Sequence, residues 1–238
     1  GLAFMNSMLV KYCQYAKYEN VRVTIPRTVV VATDYFDAFI RNNGLEYVLT
    51  TEMTDEEILS EFVSSTLPYK LREALKAYVR TVSGPLAVRS SSKLEDSHYQ
   101  PFAGIYSTYM IPYTEGNEDR QLRLLQKAIK SVYASTYFAA SKAYVQSSQN
   151  LIAEEKMAVV IQEVCGTEQD GLFFPTLSGV ARSINYYPIG DETPEEGVCN
   201  IALGLGKLVV DGGRTLRFSP RYPQKVLQTS TPELALRD

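Results

Sequence analysis

Leu2, Phe4, Met5, Met8, Leu9 and Tyr12 recur at helical spacing, which predicts an amphipathic helix over residues 2–18, packed on the segment C-terminal to it, with Lys11 and Lys17 towards solvent. The β-branched runs Val21–Ile25 and Thr28–Val31 read as strand pieces on either side of an edge or bend at Pro26. Thr33 or Asp34 then caps a helix bearing Tyr35, Phe36, Phe39 and Ile40, which Asn42-Asn43-Gly44 closes. Thr54-Asp55-Glu56-Glu57 starts another, to about Ser64, with its acids in the first turn where the helix dipole favours them. Leu67-Pro68 opens a further helix with Leu71, Leu75, Tyr78 and Val79 on one face, and Ser83-Gly84-Pro85 stops it.

Pro85–Val88 is the apolar run of a short buried strand, and a polar stretch then leads through Phe102-Ala103-Gly104 into a second strand that ends near Tyr113. From Glu118, the stripe Leu122, Leu125, Ile129, Val132, Tyr133, Ala140 and Tyr144 predicts one helix of about 27 residues. Lys156–Val164 is nearly continuously apolar, as expected of a strand buried on both faces. Gly171–Phe174, Ser178–Ile184 and Val198–Leu203 add strands, separated by Pro175, by Pro188-Ile189-Gly190 and by the acids Asp191, Glu192, Glu195 and Glu196, which read as a solvated loop. The pattern predicts an α+β protein, mainly helix around a few strands in its first half and mainly sheet behind one long helix in its second. No repeat or linker divides it, so the halves, roughly 1–150 and 151–238, are expected to form lobes of one unit.

With 238 residues and 45% hydrophobic content the chain can bury a sizeable core. A net charge of -3 with mixed signs sets up no field suited to a nucleic-acid or membrane partner, so a ligand site has to be built from a few placed charges. Cys13, Cys165 and Cys199 lie far apart with no Cys-x-x-Cys or Cys/His pairing, which points away from a disulfide framework or a zinc site and towards buried small hydrophobes in a cytoplasmic protein. No apolar run approaches the roughly 20 residues of a membrane-spanning helix, and the N-terminus lacks a signal-peptide pattern. A chain that starts at Gly1 is expected to be part of a longer one.

Chemistry concentrates in Val88–Thr108. Arg89 followed by Ser90, Ser91 and Ser92 sets a cation and three hydroxyls at a strand end, where they could hold a phosphate by charge-assisted hydrogen bonds. The alternative is that Arg89 pairs with Glu95 or Asp96 while the serines start a helix, and local chemistry leaves the two open. Gly204-Leu205-Gly206 is half of a dinucleotide fingerprint; because Lys207–Gly213 reads as a strand with a tight turn, the glycines are expected to permit close backbone packing. His98, the single histidine, reads as an exposed loop residue.

The string VRSSSKLEDSHYQPFAGIYST resembles the VRSSAxxED…FAGxxxT signature of the nucleotide-binding domain of phosphoenolpyruvate synthases and pyruvate phosphate dikinases. Companions occur in the family's order. Gly1–Phe4 resembles the end of its GGKxxxL segment, Pro26–Val30 its PPGFVV strand, and Ile161–Val164 its VVQxMV strand; Ser178–Ala181 with Ala202–Gly206 resembles its SGVxF and GLGexVVxG pair, although Lys207 stands where many members carry an acid. The resemblance implies an ATP-grasp-like fold whose two lobes close on ATP. It also implies that Arg89 meets the phosphates, that Gly104 lets backbone N–H groups approach them, and that Gln162, Glu163 and Val164 form the adenine hinge. The plainer reading of these three is as ordinary strand residues, with Glu163 facing solvent. In the family a histidine on a separate swivelling domain takes the phosphoryl group and passes it to pyruvate; relatives use other acceptors, such as a glucan or an antibiotic. The family's phosphate-binding lysine would precede Gly1, and its Mg²⁺-holding acids and Gln-x-Arg-Pro strand would come after Asp238. The isolated chain is therefore expected to bind ATP weakly or not at all, and not to turn over. The rival expectation is a nucleotide-responsive regulatory module without chemistry.

Overall fold

In the computed structural model, which describes residues 1–12, 18–92, 106–147, 155–210, 213–229 and 231–233, antiparallel pairing organises each of two compact units, residues 1–164 and 165–238. In the first unit, β1 (Thr28–Val31), β4 (Met157–Glu163), β2 (Leu86–Ser92) and β3 (Tyr109–Ile111) form one sheet in the order β1-β4-β2-β3. Its register sets Thr28 opposite Gln162, Ala87 opposite Gln162 on the other side, Arg89 opposite Val160 and Leu86 opposite Ile111. One face is buried: Val31, Leu86, Val88, Ile111, Met157, Val159 and Ile161 join a core with side chains of α2 (Thr33–Asn43), α3 (Asp55–Ser64), α4 (Tyr69–Val79) and α5 (Glu118–Ser135). At its centre Tyr133 meets Phe36 edge-on at 5.0 Å and Phe39 at 5.4 Å, and Phe39 meets Phe62 at 5.7 Å.

Most of the helix signals in the sequence act where they are written, but α2 starts after Ala32 with no side-chain cap, so Thr33 and Asp34 stand in its first turn and neither caps it. Gly44 closes α2 in the left-handed conformation at φ 64°, which costs a glycine little. Thr54 and Glu57 form a reciprocal capping box, with the Glu57 backbone N–H donating to Thr54 Oγ1 and the Thr54 backbone N–H to Glu57 Oε2. Thr54→Ala is expected to destabilise the first unit by about 1 kcal/mol, read by urea unfolding. At the other end of α3, Lys130 on α5 donates to the Val63 and Ser65 carbonyls, and burial lowers its ammonium pKa.

Several expectations are corrected. α1 spans Leu2–Lys11, and Leu2, Phe4, Met5, Met8 and Val10 are exposed, so its apolar face is not buried. Val21 makes only an isolated bridge to Tyr18 around the left-handed Asn20, and Val21–Ile25 is not a strand. The single long helix is two, α5 and α6 (Ala139–Ser147). The chain tightens into i→i+3 bonds through Thr136–Phe138, and Asp55 Oδ1 accepts the Ala139 N–H at 2.8 Å, starting the second helix from a residue 84 positions away. Strand β4 is central but buried on one face only, because the helices cover a single side of an antiparallel sheet. Cys165 is exposed and Cys199 half-buried, against the expectation of buried small hydrophobes; Cys13 lies outside the described residues.

The second unit holds a hairpin of β5 (Thr167–Gln169) and β6 (Leu172–Phe174), and a sheet of β7 (Leu177–Arg182), β8 (Val198–Leu203) and β9 (Leu216–Phe218) in that order. Asp170 and Gly171, both at positive φ, make the hairpin turn. Gly179 is needed because a Cβ there would stand 2.8 Å from the Asn200 carbonyl oxygen across the ladder. Lys207–Val210 forms one helical turn, α7, in place of the expected strand. The acidic stretch is not simply a solvated loop. Glu196 completes a capping box with Thr193, and Arg217 holds Glu192 bidentately, Nη1 donating to Oε1 at 3.0 Å and Nη2 to Oε2 at 2.7 Å.

Candidate functional site

Side chains alternate across a strand, so the register decides which groups of the first unit can act together. Ala87, Arg89 and Ser91 of β2 share the outer face of the sheet with Ala158, Val160 and Gln162 of β4, Thr28 and Val30 of β1, and Met110 of β3. Ser90 and the buried Ser92 point to the opposite face. The three serines therefore continue the strand and do not gather round Arg89; only Ser91 stands on its side. The outer face is a shallow apolar surface, with Val160 at its middle and Val30 58% exposed beside it. Arg89 is exposed on this surface, and among the described residues no carboxylate pairs with it. Glu95 and Asp96, its alternative partners, lie outside those residues, as do Gly104 and His98.

The end of β4 is polar and more constrained. Gln162 donates from Nε2 to Thr28 Oγ1 at 2.9 Å, and Thr28 Oγ1 donates in turn to the Pro26 carbonyl at 2.9 Å. Gln162 and Arg89 are diagonal neighbours across the β2–β4 ladder, about 7–8 Å apart at their Cα atoms. Glu163 projects to the other face, where Oε1 meets Arg27 at 2.8 Å as a charge pair, and its backbone N–H donates to the Arg27 carbonyl at 3.0 Å. The half-buried Tyr78 phenol is pushed up by burial and then by the Glu163 carboxylate, with Arg27 opposing. The Val164 N–H donates to the Pro85 carbonyl at 2.9 Å. Proline has no N–H to return, so this side of the ladder leaves the Val164 carbonyl oxygen without its usual donor at the sheet end.

The outer face thus combines a flat apolar patch, a guanidinium at one side and unspent acceptors at the other. A planar base lies well on the patch, while phosphate oxygens suit the guanidinium. A family model described as pyruvate phosphate dikinase, AMP/ATP-binding domain, matches residues 6–230. The chain belongs to this family. Two curated relatives agree with it. The uncharacterized phosphotransferase YvkC of Bacillus subtilis is 31% identical over 198 residues, which are 80% of this chain and 20% of the relative. The phosphoenolpyruvate synthase of Aeropyrum pernix is 27% identical over 212 residues, 80% of this chain and 24% of the relative. The chain spans about a fifth to a quarter of the length of these relatives.

As a dikinase-type AMP/ATP-binding domain the protein combines helices with antiparallel sheets, and among its described residues no helix is long and apolar enough to cross a membrane. Among the same residues no three His, Cys, Asp or Glu side chains gather to hold a metal ion. Gln162, Arg89 and Val164 come together on or beside one face; Glu163 does not join them, since its carboxylate is directed to Arg27. Arg27, Thr28 and Pro85, which position these groups, carry no sequence signal for that work, because it exists only once β1, β4 and β2 are paired.

Proposed function

We propose that this chain is the ATP-binding part of a phosphotransferase of the phosphoenolpyruvate synthase and pyruvate phosphate dikinase kind, with an ATP-grasp-like fold, and that ATP lies on the outer face of its four-stranded sheet. The observation that carries the reading is the placement of Arg89, Val160 and Gln162 on one open face in a domain of an AMP/ATP-binding family. The adenine ring packs over Val160 and Val30, its amino group donates to the Val164 carbonyl, and the Arg89 guanidinium takes the phosphate oxygens. Gly104, with no Cβ, lets backbone N–H groups approach those oxygens. Glu163 acts from beneath: its pair with Arg27 anchors the end of β4, so that the Val164 carbonyl is held in place.

In phosphoryl transfer the protein supplies positioning and charge neutralisation, and bound Mg²⁺ supplies part of the latter. This domain would hold the donor; the phosphoryl group passes to a histidine on a separate swivelling domain and then to pyruvate. The test is isotope exchange in the full-length chain between ATP, AMP and phosphate, with and without pyruvate. Exchange into ATP without pyruvate, and phosphoenolpyruvate formation with it, are expected. ATP binding with no exchange in either condition would overturn the transferase reading and leave a regulatory module.

A further inference from the structure

We propose that Thr28 is a positioning residue that sets the purine selectivity of the site, by fixing which end of the Gln162 amide faces the nucleotide. The inference rests on the ATP-binding reading above and deepens it. A threonine hydroxyl carries one proton. At Thr28 that proton goes to the Pro26 carbonyl, 2.9 Å away, an acceptor that can only receive. The hydroxyl oxygen is then left as an acceptor, and the group 2.9 Å from it on Gln162 must be the donating Nε2. The amide is therefore not free to choose between its two orientations. Its Oε1 is turned away from Thr28, and among the described residues no donor meets it.

Gln162 is half-buried on the outer face, two residues before the Val164 carbonyl that Pro85 leaves without a ladder donor. Two acceptors thus stand at the same end of the sheet, one fixed by a hydroxyl relay and one by a missing N–H. Their match is a group with two hydrogens to give, which is the 6-amino group of adenine. A purine with oxygen at that position would bring a third acceptor against two that cannot turn round, and a site built to accept hydrogen bonds rejects a ligand that leaves its groups unpaired. The chain Pro26 carbonyl, Thr28 hydroxyl, Gln162 amide converts a backbone feature of β1 into a preference for one nucleobase.

The experiment compares ATP with inosine triphosphate, which carries a 6-oxo group, by equilibrium binding to the full-length chain. The unaltered protein is expected to prefer ATP. Thr28→Val keeps the β-branched shape but removes the relay, and is expected to reduce that preference about tenfold, the worth of one well-placed hydrogen bond. Thr28→Ser restores the hydroxyl and should restore the preference. Gln162→Leu reads the same quantity without touching Thr28, and should lose a similar factor while its melting temperature shows the fold intact. An ATP preference unchanged in Thr28→Val and Gln162→Leu, or absent from the unaltered protein that still binds ATP, would overturn the role of Thr28 and leave the ATP-binding reading standing. Failure of the unaltered protein to bind either nucleotide would remove both.

Discussion

In the full-length protein Arg89→Ala is expected to weaken ATP binding by about 1–3 kcal/mol, roughly 5- to 150-fold, without loss of the fold. The side chain stands on the exposed face of β2 opposite Val160, contributes nothing to the core, and has no carboxylate partner among the described residues. Its removal therefore leaves no buried charge behind, and the whole effect should appear in ligand affinity. Arg89→Lys keeps the charge but loses the planar fork that matches phosphate, so an intermediate affinity is expected. The affinity should also fall as salt is raised, and less steeply in Arg89→Ala than in the unaltered chain. Titration calorimetry reads all three quantities, and an affinity unchanged by Arg89→Ala would remove this residue from the site.

The other large effect concerns the second unit and acid. Arg217 holds the Glu192 carboxyl at about 2, against an ordinary value of 4.5, chiefly through its hydrogen bonds, with further donors from the Ile189 backbone and the Asn185 side chain. A carboxyl whose folded pKa is depressed binds its proton less readily when folded than when unfolded. The stability it contributes is therefore complete above about pH 4.5 and drains away as pH falls towards about 2. Arg217→Met removes the partner while filling its space, and leaves a carboxylate with only 13% of its side chain exposed. The expected destabilisation near pH 7 is about 2 kcal/mol, below the 3–5 of a fully buried pair because solvent still reaches this one. Other acids titrate in the same range, so the readout is the difference between the two proteins. The variant's deficit in urea unfolding should shrink steadily from pH 5 to pH 2.5, whereas a constant deficit would mean that Arg217 acts by packing alone.

How much of this was legible in the sequence depends on the range of the interaction. The Thr54–Glu57 box and the Gly44 stop are local, and both can be read from a few adjacent letters. Asp170-Gly171 is equally local, a strong hairpin signal left unused by a reading that sees only a strand from Gly171. The break between α5 and α6 is not local, because its stop depends on Asp55 reaching across from α3. A continuous apolar stripe says nothing of that. Strand β2 runs on through Ser90–Ser92 since those serines lie opposite Val159, Ala158 and Met157, a fact of register that no propensity contains. The same register separates Arg89 from two of its three serines. The Glu192–Arg217 pair, 25 residues apart, hides in what reads as an ordinary acidic loop.

For the site, the sequence offered residue types and their order, and the fold sorts them by face. Arg89 and Gln162 emerge on one surface, Glu163 turns to Arg27, and Thr28 and Pro85 acquire roles by standing next to β4. On the proposed reading, ATP occupies that surface. Photo-crosslinking of the full-length chain with 8-azido-ATP, followed by peptide mapping, tests it most directly, because the azide labels what lies against the base. Label is expected on the strand peptides containing Thr28–Val30 and Ala158–Val164, suppressed by excess ATP. ATP-competed label confined to other peptides would contradict it.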